Sequence, residues 1–308
     1  MPLLSKIFFT VTLLLFTTGW PGPLPAKSPA PENCAARPFD QGRLWKVSKD
    51  GIPTNYVFGT MHSKDPRILH LPGIVMQAFT GAGTAIFETS LRDNDIARSR
   101  ALMLLPTGDS LRARLGDARF GRLLGIAERY GLTADTLDRF KIWAAAAVIS
   151  QPPPDPATGQ PLTLLDKELE KSALQTGKRV LALESNDEQL AIFDAMPETV
   201  QIEYLDQAIS ENPRLNEELE TLTSHYLAGR TGWIACDLEE TLKTASPDLD
   251  RVMTEELIDK RNRRMVERML LELAKGNAFV GIGALHLPGA EGVLFLLRKH
   301  GFSIERKY

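Results

Sequence analysis

Two histidines and two glutamates lie at points of the sequence where a short apolar run ends. His62 closes a Gly-Thr-Met-His motif and His286 closes a Gly-Ala-Leu-His motif, so both motifs have the form GxxH. Glu88 and Glu184 each follow an apolar run directly. Two imidazoles with one or two carboxylates suit Zn, Mn, Fe or Co, and they suit Ca poorly because histidine is a nitrogen donor. The pattern therefore predicts a site for a divalent ion.

Such a site has a specific chemistry. An ion held by three protein ligands, with one position open, lowers the pKa of its bound water to about 7 in favourable zinc sites. We expect His62 and His286 to be metal ligands and Glu88 to be the third ligand or the base. Glu184 is expected to be a further acid or base, or to orient a histidine. These roles predict hydrolysis.

Arg261 is a candidate for stabilising negative charge that develops in the reaction, or for pairing with a glutamate. It belongs to the basic run 260–264. Such a run is also typical of a solvated helix face, and that interpretation stays open.

The elements that must position these side chains can be read from the hydrophobic pattern. Short apolar runs alternate with longer helical stretches, which predicts an α/β fold with a mainly parallel or mixed sheet. In open sheets of this kind, ligands collect beyond the carboxyl ends of the strands. Polar residues also end strands because the chain re-enters water, but four of matched type favour a site. The predicted strands are residues 56–58, 84–87, 179–183 and 278–282.

Apolar residues recur at spacings of three and four through much of the remaining chain, which predicts helices. These helices form an insert, at about 100–175 and 186–275, between two ends that carry the motifs. The predicted helices are residues 111–130, 136–150, 164–175, 188–209, 216–227 and 248–275.

The other three histidines are weaker candidates for site residues. The segment around His70 repeats the Leu-His-Leu-Pro-Gly of the second motif, but no apolar strand leads into it, so we expect a loop or helix-start residue. His225 and His300 lie in amphipathic stretches and are expected to be partly exposed.

The beginning of the chain resembles an export signal. Lys6 precedes an uncharged run at 7–18, and a Pro- and Gly-rich stretch follows up to Ala26. The run is short for a membrane span, which needs about 20 residues. We therefore expect a signal peptide at 1–26, a linker at 27–41 and a domain at 42–308, exported to the periplasm or secreted, with no membrane span after cleavage.

The net charge and the number of cysteines argue against two classes of protein. The formal net charge is −3, which argues against a nucleic-acid binder. Cys34 and Cys236 are too few for a disulfide scaffold. An exported compartment would permit a disulfide between them, and two unpaired buried thiols are the alternative.

Taken together, the motifs resemble the TraB/GumN/PrgY family, whose members include the Tiki proteases. The resemblance extends from about residue 42 to 308. In this family the paired GxxH histidines and a strand-end glutamate are taken to form the active centre, which implies roles for His62, Glu88 and His286. Glu184, Arg261 and Asn262 match further recurrent positions. The segments that carry the resemblance are 59–62, 85–88, 165–166, 183–184, 189, 260–262 and 283–294.

The resemblance implies metal-dependent hydrolysis of peptides, with Mn or Co as the implied ion and Zn also possible. Shared family does not determine the reaction. The expected partner is a peptide or small-molecule substrate. One alternative is a regulatory protein that binds a peptide or glycan without cutting it. Another is metal-free hydrolysis by histidine and glutamate. A serine-hydrolase elbow, GxSxG, and a zincin helix, HExxH, are both absent from the sequence.

Overall fold

A computed structural model describes residues 31, 34–154 and 164–308. The predicted signal peptide at 1–26 lies outside the described residues, and so do residues 27–30, 32 and 33 of the predicted linker. The described residues divide into two compact units. One unit comprises residues 91–154 and 186–219, and the other comprises residues 34–90, 164–185 and 220–308.

A six-stranded mixed sheet lies in the second unit, with strand order β4-β3-β5-β2-β1-β6. Strands β4, β3, β5 and β2 are parallel, whereas β1 is antiparallel to both β2 and β6. The strands are β1 (Leu44–Lys49), β2 (Ile52–Thr60), β3 (Thr84–Phe87), β4 (Arg179–Ala182), β5 (Ala278–Gly283) and β6 (Ser303–Arg306). The predicted α/β fold with a mixed sheet is confirmed.

Helices occupy most of the remaining described residues. Three of the predicted helices, at 111–130, 136–150 and 188–209, are each interrupted by a short non-helical break. The stretch at 248–275 contains a π-helical segment, Val252–Asp259. The α-helices are α1 (Pro66–Leu69), α2 (Gly73–Gly81), α3 (Asp93–Leu102), α4 (Leu111–Leu115), α5 (Asp117–Ala127), α6 (Ala134–Leu137), α7 (Ile142–Ile149), α8 (Leu165–Gln175), α9 (Asn186–Asp194), α10 (Glu198–Glu211), α11 (Leu215–Leu227), α12 (Thr231–Leu242), α13 (Pro247–Arg251), α14 (Lys260–Leu273) and α15 (Val293–Lys299).

The core is built around β5, which lies between β3 and β2. All but the last of its residues are buried, as a central parallel strand requires when both faces are covered. On one face it packs in a cluster with apolar residues of α14 and α15. On the other face, Phe279 contacts the rings of Phe58 and Phe79, with ring centroids 6.0 and 5.3 Å apart. Burial on both faces holds the carboxyl end of β5 in place.

A disulfide joins Cys34 to Cys236 on α12, with their Cα atoms 5.6 Å apart. The structure thus selects the first of the two alternatives left open for these cysteines. Across the described residues, none of the helices combines the length and the hydrophobicity that crossing a bilayer would require.

Candidate active site at the carboxyl edge of the sheet

The four parallel strands end at one edge of the sheet, and the predicted residues follow them there. In the register, Thr60 at the end of β2 is opposite Gly283 at the end of β5, and Phe87 at the end of β3 is opposite Ala182 at the end of β4. His62, Glu88, Glu184 and His286 all lie a few residues beyond these ends, and all four are buried.

His62 is held by a residue of α8. Its Nδ1 forms a short hydrogen bond with Oδ2 of Asp166. The other carboxylate oxygen, Oδ1, accepts a hydrogen bond of 2.6 Å from Oγ1 of Thr60. Asp166 therefore contacts two side chains of the first GxxH motif. A further bond, from the backbone N–H of Leu165 to the carbonyl of Ser63 at 3.3 Å, ties the start of α8 to the chain just after the motif.

His286 is held by an amide instead. Its Nδ1 lies 2.7 Å from Oδ1 of Asn262 on α14. The amide nitrogen of Asn262 donates to the carbonyl of Glu291 at 2.9 Å, which places Oδ1 toward the imidazole. An amide oxygen can only accept, so Nδ1 of His286 carries the proton and Nε2 carries the lone pair.

Glu88 and Glu184 are joined by one buried guanidinium. Arg261 donates from its terminal nitrogen to Oε1 of Glu88 in a short bond and from Nε to Oε2 of Glu184 at 2.9 Å. Arg264, which is partly exposed, also donates to Oε1 of Glu184, from its own Nε at 2.9 Å. The pairing with glutamates is therefore present. Arg261 is 2% exposed, which excludes the solvated helix face that its basic run allowed.

The start of α14 explains how Arg261 and Asn262 both become buried within a basic run. Arg261, Asn262, Met265 and Val266 recur at helical spacing on the buried side of α14, whereas Lys260 is exposed. The π-helical segment directly precedes them, and π-helical turns are frequent at functional sites. No pattern in the sequence indicated that segment.

Glu88 and His286 place two acceptor atoms opposite each other. Oε2 of Glu88 accepts the backbone N–H of Gly283 at 3.1 Å and lies 3.9 Å from Nε2 of His286. Because Nδ1 of His286 carries the proton, both facing atoms bear lone pairs. Two acceptors that face each other in this way suit a cation or a proton donor between them.

Burial and neighbouring charges shift the pKa values of the two histidines in opposite directions. Burial lowers the pKa of His286 to about 4 and outweighs the opposing effect of Glu88. Burial also acts to lower the pKa of His62, but the charge and hydrogen bond of Asp166 outweigh it, so the pKa is raised above its usual value. For Glu88, burial favours the neutral form, yet Arg261 and the two histidines hold its pKa well below the usual range.

The two motifs also touch each other. A Cβ atom on Gly59 would lie 2.7 Å from Cδ1 of Leu287 and 3.1 Å from the Cα of Ala284. Gly59 lies within β2 and has no positive φ. Because Gly59 has no side chain, the chain of the second motif can lie directly against its backbone.

Of the remaining histidines, His70 is exposed at the end of α1 and His300 is exposed after α15, in line with expectation. The expectation for His225 is wrong, because it is 2% exposed. Its Nδ1 lies 2.9 Å from Oδ2 of Asp237, and its ring contacts Trp233 edge-on. The helix pair α11 and α12 buries it, and α12 was not among the predicted helices.

The predicted metal ligands are only partly assembled. In the part of the chain that the structure describes, no group of three or more His, Cys, Asp or Glu side chains is arranged to hold a metal ion. The donor chemistry nevertheless fits such an ion, since Nε2 of His286 and Oε2 of Glu88 face each other and the bond at Nδ1 of His62 leaves Nε2 as its outward nitrogen. The ligand roles of His62, Glu88 and His286 stay predictions.

Comparison with known sequences assigns this chain to a family. The sequence profile described as the TraB/PrgY/gumN family matches residues 43–306, which include every candidate residue. The chain belongs to the TraB/PrgY/gumN family. The expected resemblance is thereby confirmed.

Curated relatives carry the name of a metalloprotease. A Metalloprotease TIKI homolog of Nematostella vectensis is 26% identical over 85% of this chain and 66% of its own length. Metalloprotease TIKI2 of Danio rerio is 26% identical over 85% of this chain and 60% of its own length. Metalloprotease TIKI1 of Homo sapiens is 26% identical over 97% and 68%. This chain thus spans about two thirds of the length of these relatives. No solved structure matches it significantly.

Proposed function

We propose that this protein is an exported hydrolase that cleaves peptide bonds with the help of a divalent ion. The observation that carries the proposal is the pair of facing acceptors, Nε2 of His286 and Oε2 of Glu88, 3.9 Å apart in a buried site. Supporting it, the similar TIKI proteins are named metalloproteases. His62, Glu88 and His286 are the residues that would hold the ion.

The choice of ion follows from the donor set. Imidazole nitrogen with carboxylate oxygen suits Mn, Co or Zn. A divalent ion held there would supply Lewis acidity, which polarises a carbonyl and makes water acidic near neutral pH. His286 suits a ligand role because its low pKa keeps the imidazole neutral at neutral pH.

The other residues of the site have roles that do not depend on the ion. Arg261 is a buried cation between Glu88 and Glu184, and it would stabilise negative charge that develops on a substrate carbonyl oxygen. Glu184 holds the guanidinium at its Nε and is itself held by Arg264. We therefore assign Glu184 the task of keeping Arg261 in place, rather than that of a direct acid or base.

A second candidate function is metal-free hydrolysis by the same residues. It is favoured by the bond between Glu88 and Arg261, which engages Oε1 and leaves only Oε2 of this carboxylate for an ion. In this version, neutral His286 is the base that takes a proton from water, and His62, whose pKa is raised by Asp166, is the acid. Both candidates need the same two histidines and differ in the need for an ion.

Metal removal and histidine substitution together separate these candidates. The purified protein is incubated with a mixture of unstructured peptides, and products are detected by mass spectrometry, before and after chelation and after addition of Mn²⁺, Co²⁺ or Zn²⁺. The proposal expects loss on chelation, recovery with an ion, and loss in His62→Ala and His286→Ala but not in the exposed control His300→Ala. Cleavage that survives chelation and is lost in His286→Ala favours the metal-free candidate. No cleavage under any condition overturns both.

Export is supported by the disulfide between Cys34 and Cys236, because such bonds persist in oxidising compartments. We expect both cysteines to resist alkylation in protein taken directly from the native cell. Full alkylation of both thiols without prior reduction would contradict an oxidising location.

A further inference from the structure

We propose that Asp166 is a positioning residue for His62, which fixes the imidazole so that Nε2 is presented to the site. This inference rests on the proposed function, because it concerns the histidine that would bind the ion or act as the acid. The family resemblance marked the segment 165–166 but implied no role for this carboxylate.

Two buried contacts carry the argument. Oδ2 of Asp166 bonds Nδ1 of His62, and Oδ1 accepts from Thr60 at 2.6 Å. Asp166 is 5% exposed, and its two partners are 4% and 1% exposed. Thr60 is the last residue of β2, so it is fixed by the sheet, and the carboxylate is thereby held at both oxygens. A carboxylate fixed in this way has little freedom to rotate away from the imidazole.

The chemistry of the contact determines the orientation of the ring. An ionised carboxylate only accepts hydrogen bonds, so Nδ1 of His62 must carry a proton. Nε2 is then the atom left for a ligand or a substrate. Carboxylates behind the distal nitrogen of metal-binding histidines fix tautomer and ring orientation in this manner. The same arrangement orients a histidine that acts without a metal.

A second His–Asp pair in the same unit supplies a matched control. His225 and Asp237 connect α11 and α12 through a bond of 2.9 Å and contact none of the candidate residues through it. The side chain of His225 is as buried as that of His62, at 3% against 4%. Asp237→Asn therefore repeats the chemical change of Asp166→Asn away from the site.

The experiment compares Asp166→Ala, Asp166→Asn, Thr60→Val and the control Asp237→Asn in the full chain. The first measurement is the tautomer of His62 in the chelated protein, from ¹⁵N chemical shifts of labelled histidine, with the signal assigned through His62→Gln. The second is the affinity for Mn²⁺ alone, by calorimetry. Far-UV circular dichroism and thermal unfolding show whether each variant is folded.

We expect His62 to be protonated at Nδ1 in the wild type and to shift toward a mixture of tautomers in Asp166→Ala. We expect Mn²⁺ affinity to fall about 10- to 100-fold in this variant, as is usual when such an outer partner is removed. Asp166→Asn should give an intermediate result, because an amide oxygen can keep the bond without the charge. Thr60→Val should give a smaller loss, and Asp237→Asn should change neither quantity.

An unchanged tautomer and an unchanged Mn²⁺ affinity in a folded Asp166→Ala protein would overturn the inference. If Asp166→Ala does not fold, Asp166→Asn and Thr60→Val decide it by the same two measurements. A wild type that binds no Mn²⁺ and cuts no peptide would refute the proposed function. The tautomer measurement would still decide the role of Asp166, so the two failures can be told apart.

Discussion

The two GxxH motifs have the same form in sequence, yet their histidines are held by chemically different partners. Nδ1 of His62 faces the carboxylate of Asp166, whereas Nδ1 of His286 faces the amide oxygen of Asn262. Both partners lie on helices far from the motif in the chain. Burial acts to lower the pKa of both histidines. The negative charge of Asp166 outweighs it for His62, whose pKa is raised, whereas the neutral amide of Asn262 brings no such charge and the pKa of His286 falls to about 4. The charge state of each motif histidine is thus decided outside the motif.

This difference gives His62 and His286 different chemical roles. At neutral pH the imidazole of His286 is an acceptor, whereas Asp166 favours the protonated form of His62, so an ion that binds Nε2 of His62 would have to displace a proton there. Active sites often contain two titratable groups whose surroundings move their pKa values apart, so that one acts as the acid and the other as the base. Glu88 interacts with the charges of both histidines. A substitution at Glu88 therefore changes the surroundings of both at once.

Glu88→Gln should have the largest effect. The variant keeps the size of the side chain but removes the charge that faces both histidines and Arg261. We expect peptide turnover to fall by about 10²- to 10⁴-fold, the usual contribution of a catalytic acid or base. The cost in stability should be modest, because Arg261 keeps its bond to Glu184. The measurement is the rate of peptide cleavage, with the exposed Glu305→Gln as control, and a fully active variant would remove Glu88 from the mechanism.

Asn262→Asp tests the comparison directly, because it gives His286 the kind of partner that His62 has. The new carboxylate should raise the pKa of His286 by about one unit or more, since an adjacent opposite charge favours the charged imidazole. It also loses the amide that donates to Glu291. We expect cleavage to fall about 10- to 100-fold at neutral pH, in the range of a lost outer partner. An NMR titration of His286 in the chelated protein measures the pKa, and an unchanged value would show that the partner's charge does not control it.

The sequence was sufficient to predict which side chains meet, but not what holds them. The four apolar runs before His62, Glu88, Glu184 and His286 became adjacent parallel strands, because buried parallel strands are near-continuously apolar and end at one edge. Strands β1 and β6, which form the antiparallel side of the sheet, were not among the predicted strands. Their alternating pattern is weaker, since each is partly exposed.

The hydrogen-bond partners of the two histidines could not be predicted from the residue pattern, for a physical reason. Asp166 and Asn262 are polar residues within helical patterns, where such residues usually face water, and no local signal distinguishes a buried one. Arg261 was equally consistent with a solvated face. Its burial depends on the two glutamates that compensate its charge, and these come from different strands.

The pH dependence of stability offers a smaller test of the same comparison. The folded pKa of His286, about 4, lies below its unfolded value of about 6.5, so the unfolded chain binds more protons between these values. Stability should therefore fall as the pH is lowered through this window, by up to roughly 3 kcal/mol from this group. His62 acts in the opposite sense, because a raised folded pKa contributes stability below the unfolded pKa and loses it as the pH rises.

His286→Gln should remove the loss, because glutamine cannot be protonated and can still donate to Asn262. Urea unfolding of the chelated protein between pH 7 and about 5.5 measures this, above the range in which carboxylates such as Glu88 titrate appreciably in the unfolded chain. His62→Gln should instead change the slope only above a pH of about 6.5, where the raised folded pKa of His62 acts, and should leave the loss at lower pH as it is in the wild type. Parallel curves for wild type and His286→Gln would show that burial does not depress the pKa of His286.

Gly59→Ala tests whether the two motifs, despite their different partners, must pack directly on each other. The added methyl group would lie 2.7 Å from Cδ1 of Leu287 and 3.1 Å from the Cα of Ala284, so the side chain of Leu287 has to move and the backbone of the second motif has to yield. Overpacking of this kind costs about 1 to 3 kcal/mol. We expect that loss in urea unfolding, with weaker Mn²⁺ binding because His286 shifts with Ala284.

Gly81→Ala, at the end of α2, is the matched control, because a Cβ there meets nothing within 4 Å. It should leave stability unchanged or slightly raised, since alanine is the better helix former. If Gly59→Ala is as stable as this control, the motifs do not need close contact, and the common position of the histidines must come from the sheet register alone. If stability falls but Mn²⁺ affinity does not, the contact supports the fold without positioning His286.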